Sequence, residues 1–221
     1  MSTSHRIQVK ESLTVGWNIF KACPWLFITV PLVLVAVAVG IGIIEDALGL
    51  FLSKSQMELI VSVESFVTTM LMSVGIGALY LKAHNGKEPA ELSDLWNPKP
   101  FWRYAGVSIL GGVAILLGLV LLIVPGIIIA LAFSLAGLLV IEKGLGPVEA
   151  LKESVRLTKG HRLDLFRLSL ANIGINILGM CALVVGMFVT IPVTELAFVD
   201  AYRTLSKCVP VKKPSDEGEG K

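Results

Sequence analysis

"YAGVSILGGVAILLGLVLLIVPGIIIALAFSLAGLLVI", residues 104–141, contains no Lys, Arg, Asp or Glu. As one α-helix it would run about 57 Å, nearly twice the ~30 Å hydrocarbon core of a bilayer. The stretch therefore predicts two crossings joined by a reversal. "VPGI" at 124–127 is its one strong break. Pro125 has no N–H to donate, and Gly126 tolerates backbone angles closed to other residues. A tight hairpin is expected at Pro125-Gly126, leaving 127–141 as a short second arm.

The same test of length and charge extends outward. Residues 25–44 are uncharged and fit one span; residues 57–81 fit a second, weakened by Glu58 and Glu64. A fifth block runs from Leu163 to about Gly186. A sixth, Ile191 to Leu205, opens beside Pro192 and carries Glu195 and Asp200; it reads either as a short span or as a partly inserted helix. The predicted fold class is an all-α membrane protein. About six transmembrane helices form three hairpins, each preceded by a short cytoplasmic interfacial amphipathic helix.

Composition supports lipid as the solvent. Of 221 residues, 54% are hydrophobic and only 16% are charged, where a soluble domain carries roughly 25%; mean hydropathy is +0.78. Residues 1–24 are polar or amphipathic with no small-residue cleavage site after the first apolar block, so that block is expected to stay as a signal anchor. Cys23, Cys181 and Cys208 form no CxxC and are odd in number, which points to ordinary free thiols.

The placement of charge predicts the orientation. Of the 19 Lys and Arg, 18 fall in segments that share a side with the N-terminus, and the one remaining is Lys54. By the positive-inside rule both termini are then cytoplasmic, and the sixth crossing is needed to bring the basic C-terminus back. Similar lead-ins precede the hairpins: "SLTVGWNIFKACPW" (12–25), "ELSDLWNPKPFWRY" (91–104) and "PVEALKESVRLTKGHRLDLF" (147–166). They suggest one membrane domain, 1–208, built of tandem units 8–83, 91–143 and 147–205, with 209–221 a disordered cytoplasmic tail. Trp and basic flanks are general in polytopic proteins, so the repeat competes with a plain reading of interface belts.

The third lead-in is the richest in bases. Pro147 suits the first position of a helix, and Glu149 the positive end of its dipole. Val148, Leu151 and Val155 make an apolar face, and Gly160 is placed to cap. Arg156, Lys159, His161 and Arg162 gather near its end. They are candidates for contact with an anionic lipid or a phosphate-bearing ligand, at about 1 kcal/mol per base; the simpler use is as a topology anchor.

The run "LLIVPGIIIALAFSLAGLLVIEKGLGPVEALKESVRLTKGHRLDLF" (121–166), followed by "GMFVTIPVTELAFVDAYRTL" (186–205), resembles a family of prokaryotic membrane proteins. These are the YciC-like proteins and the glycerophosphoryl diester phosphodiesterase membrane domains. The matching positions are Pro125, Gly126, Ala150, Leu151, Ser154, Leu157 to Gly160, Pro192, Tyr202 and Arg203. The resemblance covers the C-terminal half, while the N-terminal half fits by pattern alone. It implies a six-helix protein of the cytoplasmic (inner) membrane and no settled activity. Some relatives carry a fused phosphodiesterase; no such catalytic domain is present in these residues.

Ionisable or amide side chains inside spans are functional candidates by their cost. Glu64 and Glu195 both fall toward the outer leaflet on this topology and could share a cavity or pair with Lys54. Ser169, Asn172, Asn176 and Gly179 lie on one face of the fifth span, a polar path or a packing face. Gly111, Ala114 and Gly118 on the third span form a small-residue stripe that could receive it. The "GIG" runs at 40–42 and 75–77 read as packing glycines. No HExxH, GxSxG or phosphate-cradling glycine loop occurs. The histidines His5, His84 and His161 lack ligand spacing, so neither metal nor cofactor is expected.

The leading expectation is a non-enzymatic structural or accessory membrane module whose basic helices contact the inner leaflet or a partner. The alternative is a transporter or channel for a small solute or lipid using the fifth span's polar face. Expected partners are membrane lipids, anionic ones included; a protein partner or a second copy stays open, and nothing points to nucleic acid.

Overall fold

A computed structural model describes residues 7–86, 90–96, 99–181 and 184–208. The tail 209–221 and His5 lie outside the described residues. The elements are α1 (Val9–Ala22), α2 (Pro24–Gly49), α3 (Lys54–Asn85), a 3-10 turn (Leu92–Leu95), α4 (Phe101–Leu121), α5 (Ile123–Phe133), α6 (Ala136–Lys143), α7 (Pro147–Thr158), α8 (Arg162–Cys181) and α9 (Val184–Cys208). No strand occurs among the described residues. Five helices are long and apolar enough to cross a membrane: α2, α3, α4, the α5–α6 pair taken together, and α8. The chain is thus an all-α, multi-pass membrane protein.

Burial is lopsided in a way only lipid would tolerate. The fully buried large side chains collect in the end of α3 (Leu79), in α6 (Leu139), in α7 (Leu157), at the start of α8 (Leu165, Leu168) and in the second half of α9 (Leu196, Tyr202, Leu205). Away from this core, large apolar side chains stand exposed along α2, along the first half of α3, on Leu116 through Val124, and down α8 to Met180. Contiguous apolar surface on that scale is not carried by soluble monomers. Helix α1 lies against α9, where Gly16 brings its backbone close to the Val193 carbonyl. The exposed tryptophans Trp25 and Trp102 each stand at the beginning of an apolar helix.

The reversal within 104–141 falls at Leu122, not at Pro125-Gly126. Helix α4 stops at Leu121, Leu122 is extended (φ −167°, ψ 143°), and α5 starts at Ile123. Pro125 lies in the first turn of α5, where helical N–H groups have no intrahelical acceptor and a proline loses nothing. Gly126 serves close approach. A Cβ there would sit 2.5 Å from the Leu119 side chain and 2.8 Å from the Leu119 backbone nitrogen, and one on Gly118 would sit 3.0 Å from Gly126 Cα. Two glycines facing each other let the arms of the hairpin touch backbone to backbone.

The second arm is broken again at Ser134-Leu135, between α5 and α6. A break inside an apolar segment frees backbone groups that must find partners within the protein. Ser154 of α7 supplies them: its hydroxyl donates to the Ala132 carbonyl at 2.7 Å and accepts from the Leu135 N–H at 3.2 Å. Helix α7 is therefore docked against α4, α5 and α6 rather than resting alone on a surface. Its buried face is Ala150, Ser154, Leu157 and Thr158. The expected apolar face differs from this: Val148 is exposed, and Leu151 and Val155 are half-buried. The hydroxyls of Ser154 and Thr158 are spent inside the protein.

Two further boundaries move. Helix α8 ends at Cys181 and α9 starts at Val184, so 186–191 is helix and Pro192 lies inside α9 instead of starting it. Glycine contacts account for the tight return, since a Cβ on Gly186 would lie 2.2 Å from the Gly179 carbonyl. The second lead-in, 91–104, holds a four-residue 3-10 turn rather than an amphipathic helix. Its Leu95 backbone packs on Gly75 of α3, and Asp94 pairs with Lys82 at 3.1 Å. Of the two GIG runs, 75–77 makes close contacts, whereas Gly40 and Gly42 have no neighbour within 4 Å of an added Cβ.

Candidate functional site

The four bases of the third lead-in do not act alike. Arg156 forms a two-point ion pair with Glu153. The ring of His161 lies 3.8 Å from Asp164. Lys159 and Arg162 have no ion-pair partner among the described residues. With Val155, Gly160 and Leu163 they line an open hollow of about 450 Å³. Its shape depends on Gly160, whose φ of +88° lies in the left-handed region, where a side chain would cost ~1–2 kcal/mol. The exposed Leu163 beside two uncommitted bases sets an apolar and a cationic surface side by side.

The polar face of α8 is turned to α9. The Asn172 amide nitrogen donates to the Thr194 carbonyl at 3.1 Å, and the Asn176 amide nitrogen donates to Thr194 Oγ1 at 3.2 Å. A Cβ on Gly179 would press on Thr190. Both amides are thus engaged in joining helices. Ser169, half-buried on the same helix, has no hydrogen-bond partner outside its helix among the described residues. The stripe on α4 has other partners than α8: Gly111 faces Leu151 and Phe133, and Gly118 faces Gly126 and Ile129.

Glu64 and Glu195 do not share a site. Glu64 accepts a hydrogen bond from Thr68 on its own helix at 2.7 Å, and neither carboxylate is paired with Lys54. Glu195 is not near the start of its helix but about 17 Å along α9, which begins at Val184. There it borders two cavities, of about 330 and 340 Å³, which meet at Ile76, Tyr80 and Glu195. No hydrogen-bond or ion-pair partner of Glu195 is found among the described residues.

Several polar groups were not singled out from sequence. Glu142 at the end of α6 accepts from the Tyr202 hydroxyl and from Arg203 of α9, each at 2.5 Å. His84 of α3 meets Asp200 of α9 at 3.0 Å, and Ser12 of α1 reaches the same carboxylate. These contacts tie α1, α3, α6 and α9 together next to the buried core. Tyr202 and Arg203 had been noted only as part of a motif; their partners lie some 60 residues away, beyond any local pattern. Among the described residues no cluster of three His, Cys, Asp or Glu could hold a metal. Cys23 and Cys181 are free and exposed.

Fold and site define a multi-pass helical membrane protein with a basic corner at the α7–α8 junction and a carboxylate-lined cavity beside α9. The chain belongs to the family described as Protein of unknown function (DUF975), which matches residues 3–208. No curated protein and no solved structure matches it.

Proposed function

We propose that the chain is a non-enzymatic accessory module of a prokaryotic cytoplasmic membrane, with both termini inside, whose α7–α8 corner holds anionic head groups of the inner leaflet. The observation that carries this reading is the pair Lys159 and Arg162. Unlike Arg156 and His161, they have no acidic partner among the described residues, and they border an open hollow edged by Val155 and Leu163. Such an edge suits the boundary where phosphate and acyl chain meet. The charge split along the sequence supports the orientation. The likeness to the YciC-like proteins belongs to the same proposal and rests on the motifs at 121–166 and 186–205. So does the division into three tandem units, for which α1 and α7 are corresponding lead-in helices.

The test is a Lys159→Gln, Arg162→Gln double variant in nanodiscs containing anionic lipid. Two bases at about 1 kcal/mol each should weaken retention of that lipid roughly thirtyfold at low salt, less at high salt, with topology unchanged. Retention equal to that of the parent, in a correctly oriented protein, would end the lipid reading and leave the bases as topology anchors.

A further inference from the structure

The Glu195 cavity is independent of the basic corner and has its own chemistry. One lobe, between α2, α3 and the first half of α9, is walled by Val30, Pro31, Leu34, Met187, Phe188 and Ile191. The other, between α3, α4, α6 and α9, offers the hydroxyls of Ser73, Tyr104 and Ser134. Glu195 and Tyr80 stand at the junction and border both lobes. Glu195 is an exposed residue that lines both lobes. Bases on the flanking helices are engaged elsewhere: Arg103 by the Gly144 carbonyl, Lys143 and Arg203 by Glu142, Lys82 by Asp94, His84 by Asp200. An acid within an apolar helix, facing a void and lacking a counter-charge, is costly. The cost falls if the void receives a cation.

We propose that this cavity binds a lipophilic amine. Its alkyl chain occupies the apolar lobe and its ammonium rests on the Glu195 carboxylate, with Tyr80 and Tyr104 offering aromatic faces and Ser73 and Ser134 accepting N–H bonds. Burial of the chain supplies affinity without direction. The carboxylate and the aromatic rings supply the choice of charge. A single positive charge fits better than a zwitterionic lipid head, because a phosphate would be brought close to Glu195.

The experiment uses the full chain in neutral maltoside micelles and reads the concentration of probe that half-maximally raises the melting temperature. The probes are dodecylammonium, dodecanol and phosphatidylethanolamine. Dodecylammonium should act at roughly tenfold lower concentration than dodecanol, and phosphatidylethanolamine should not match it. Glu195→Gln, nearly isosteric, should bring the amine to the level of the alcohol, whereas Glu64→Gln should leave the preference intact. Should the glutamine variant fail to fold, Glu195→Asp, which draws the charge back from the junction, should reduce the preference. Ile191→Trp should lower the affinity for both dodecyl probes by filling the apolar lobe. Equal action of amine and alcohol on the parent protein, a preference that survives in Glu195→Gln, or phosphatidylethanolamine acting as well as the free amine would each overturn the proposal.

Discussion

Ser154→Ala tests whether α7 repairs the break between α5 and α6. The Leu135 N–H donates to Ser154 Oγ. The carbonyl one turn back, that of Leu131, is taken by the Ser134 hydroxyl at 2.9 Å. With the serine hydroxyl gone, the N–H stays buried without an acceptor. The Ala132 carbonyl keeps only the Thr158 hydroxyl, at 3.4 Å. Leaving one buried donor unsatisfied costs about 1–3 kcal/mol. Cross-helix hydrogen bonds in membrane proteins average only ~0.6 kcal/mol, because the groups usually find other partners. Here the break leaves no ready substitute, and Ser154 is fully buried, so about 2 kcal/mol is expected. Thr158→Val is the comparison. That hydroxyl bonds mainly back to its own helix, at 2.9 Å from the Ser154 carbonyl, and its loss should cost under about 1 kcal/mol. Reversible unfolding by sodium dodecyl sulfate in mixed micelles, followed by circular dichroism, gives both values. A Ser154→Ala cost within about 0.5 kcal/mol of zero, or a Thr158→Val cost of equal size, would refute the reasoning.

Three more outcomes can be read with similar means. Pro125→Ala should change stability by less than about 0.5 kcal/mol, while Gly126→Val, forced against Leu119, should cost about 1–3 kcal/mol; equal effects would return the turn to Pro125-Gly126. Gly160→Ala should cost ~1–2 kcal/mol although a Cβ there meets nothing within 4 Å, because the strain lies in the φ angle; a neutral result would remove the left-handed bend. A reporter fused after Lys221 should mature only in the cytoplasm, and maturation on the far side of the membrane would remove the even number of crossings.

The helical class and the first five apolar blocks could be read because both follow from local quantities, length against bilayer thickness and the absence of charge; the sixth block, part of α9, is not among the five helices apolar and long enough to cross. What could not be read was where helices stop. Pro125 and Pro192 look like boundaries, but proline is harmless in a first turn and is tolerated inside α9. The turn at Leu122 and the close approach of α8 to α9 are set by glycines meeting across the hairpins, Gly118 with Gly126 and Gly179 with Gly186, and such meetings carry no local signal. The same limit hid the docking of α7. Ser154 and Thr158 sit on a helix rich in charge and resemble its solvent face, until the distant break at Ser134-Leu135 shows what their hydroxyls satisfy. Glu195 was recognised as a costly acid from sequence, but its depth depended on where α9 began.

The polar face of α8 admits a sharper test than its removal, because Thr194 meets the two asparagines through different atoms. Asn176 donates to the Thr194 side chain, Asn172 to its backbone carbonyl. A double-mutant cycle between Asn176→Leu and Thr194→Val should show coupling of about 0.6–1.7 kcal/mol, the range for hydrogen bonds between membrane helices. The parallel cycle between Asn172→Leu and Thr194→Val should couple weakly, since valine keeps the carbonyl and the Asn172 bond survives. Thr194 Oγ1 also bonds the Thr190 carbonyl at 2.9 Å, so the single Thr194→Val cost contains a term within α9 that the cycle cancels. If the face lined a solute path, neither asparagine would need Thr194, and both cycles would give coupling near zero. Strong coupling in the Asn176 cycle alone is what a face used to join α8 to α9 requires. Equal coupling in both would mean that the helices shift as a unit when Thr194 is changed, and the assignment of each amide to its own acceptor would fall.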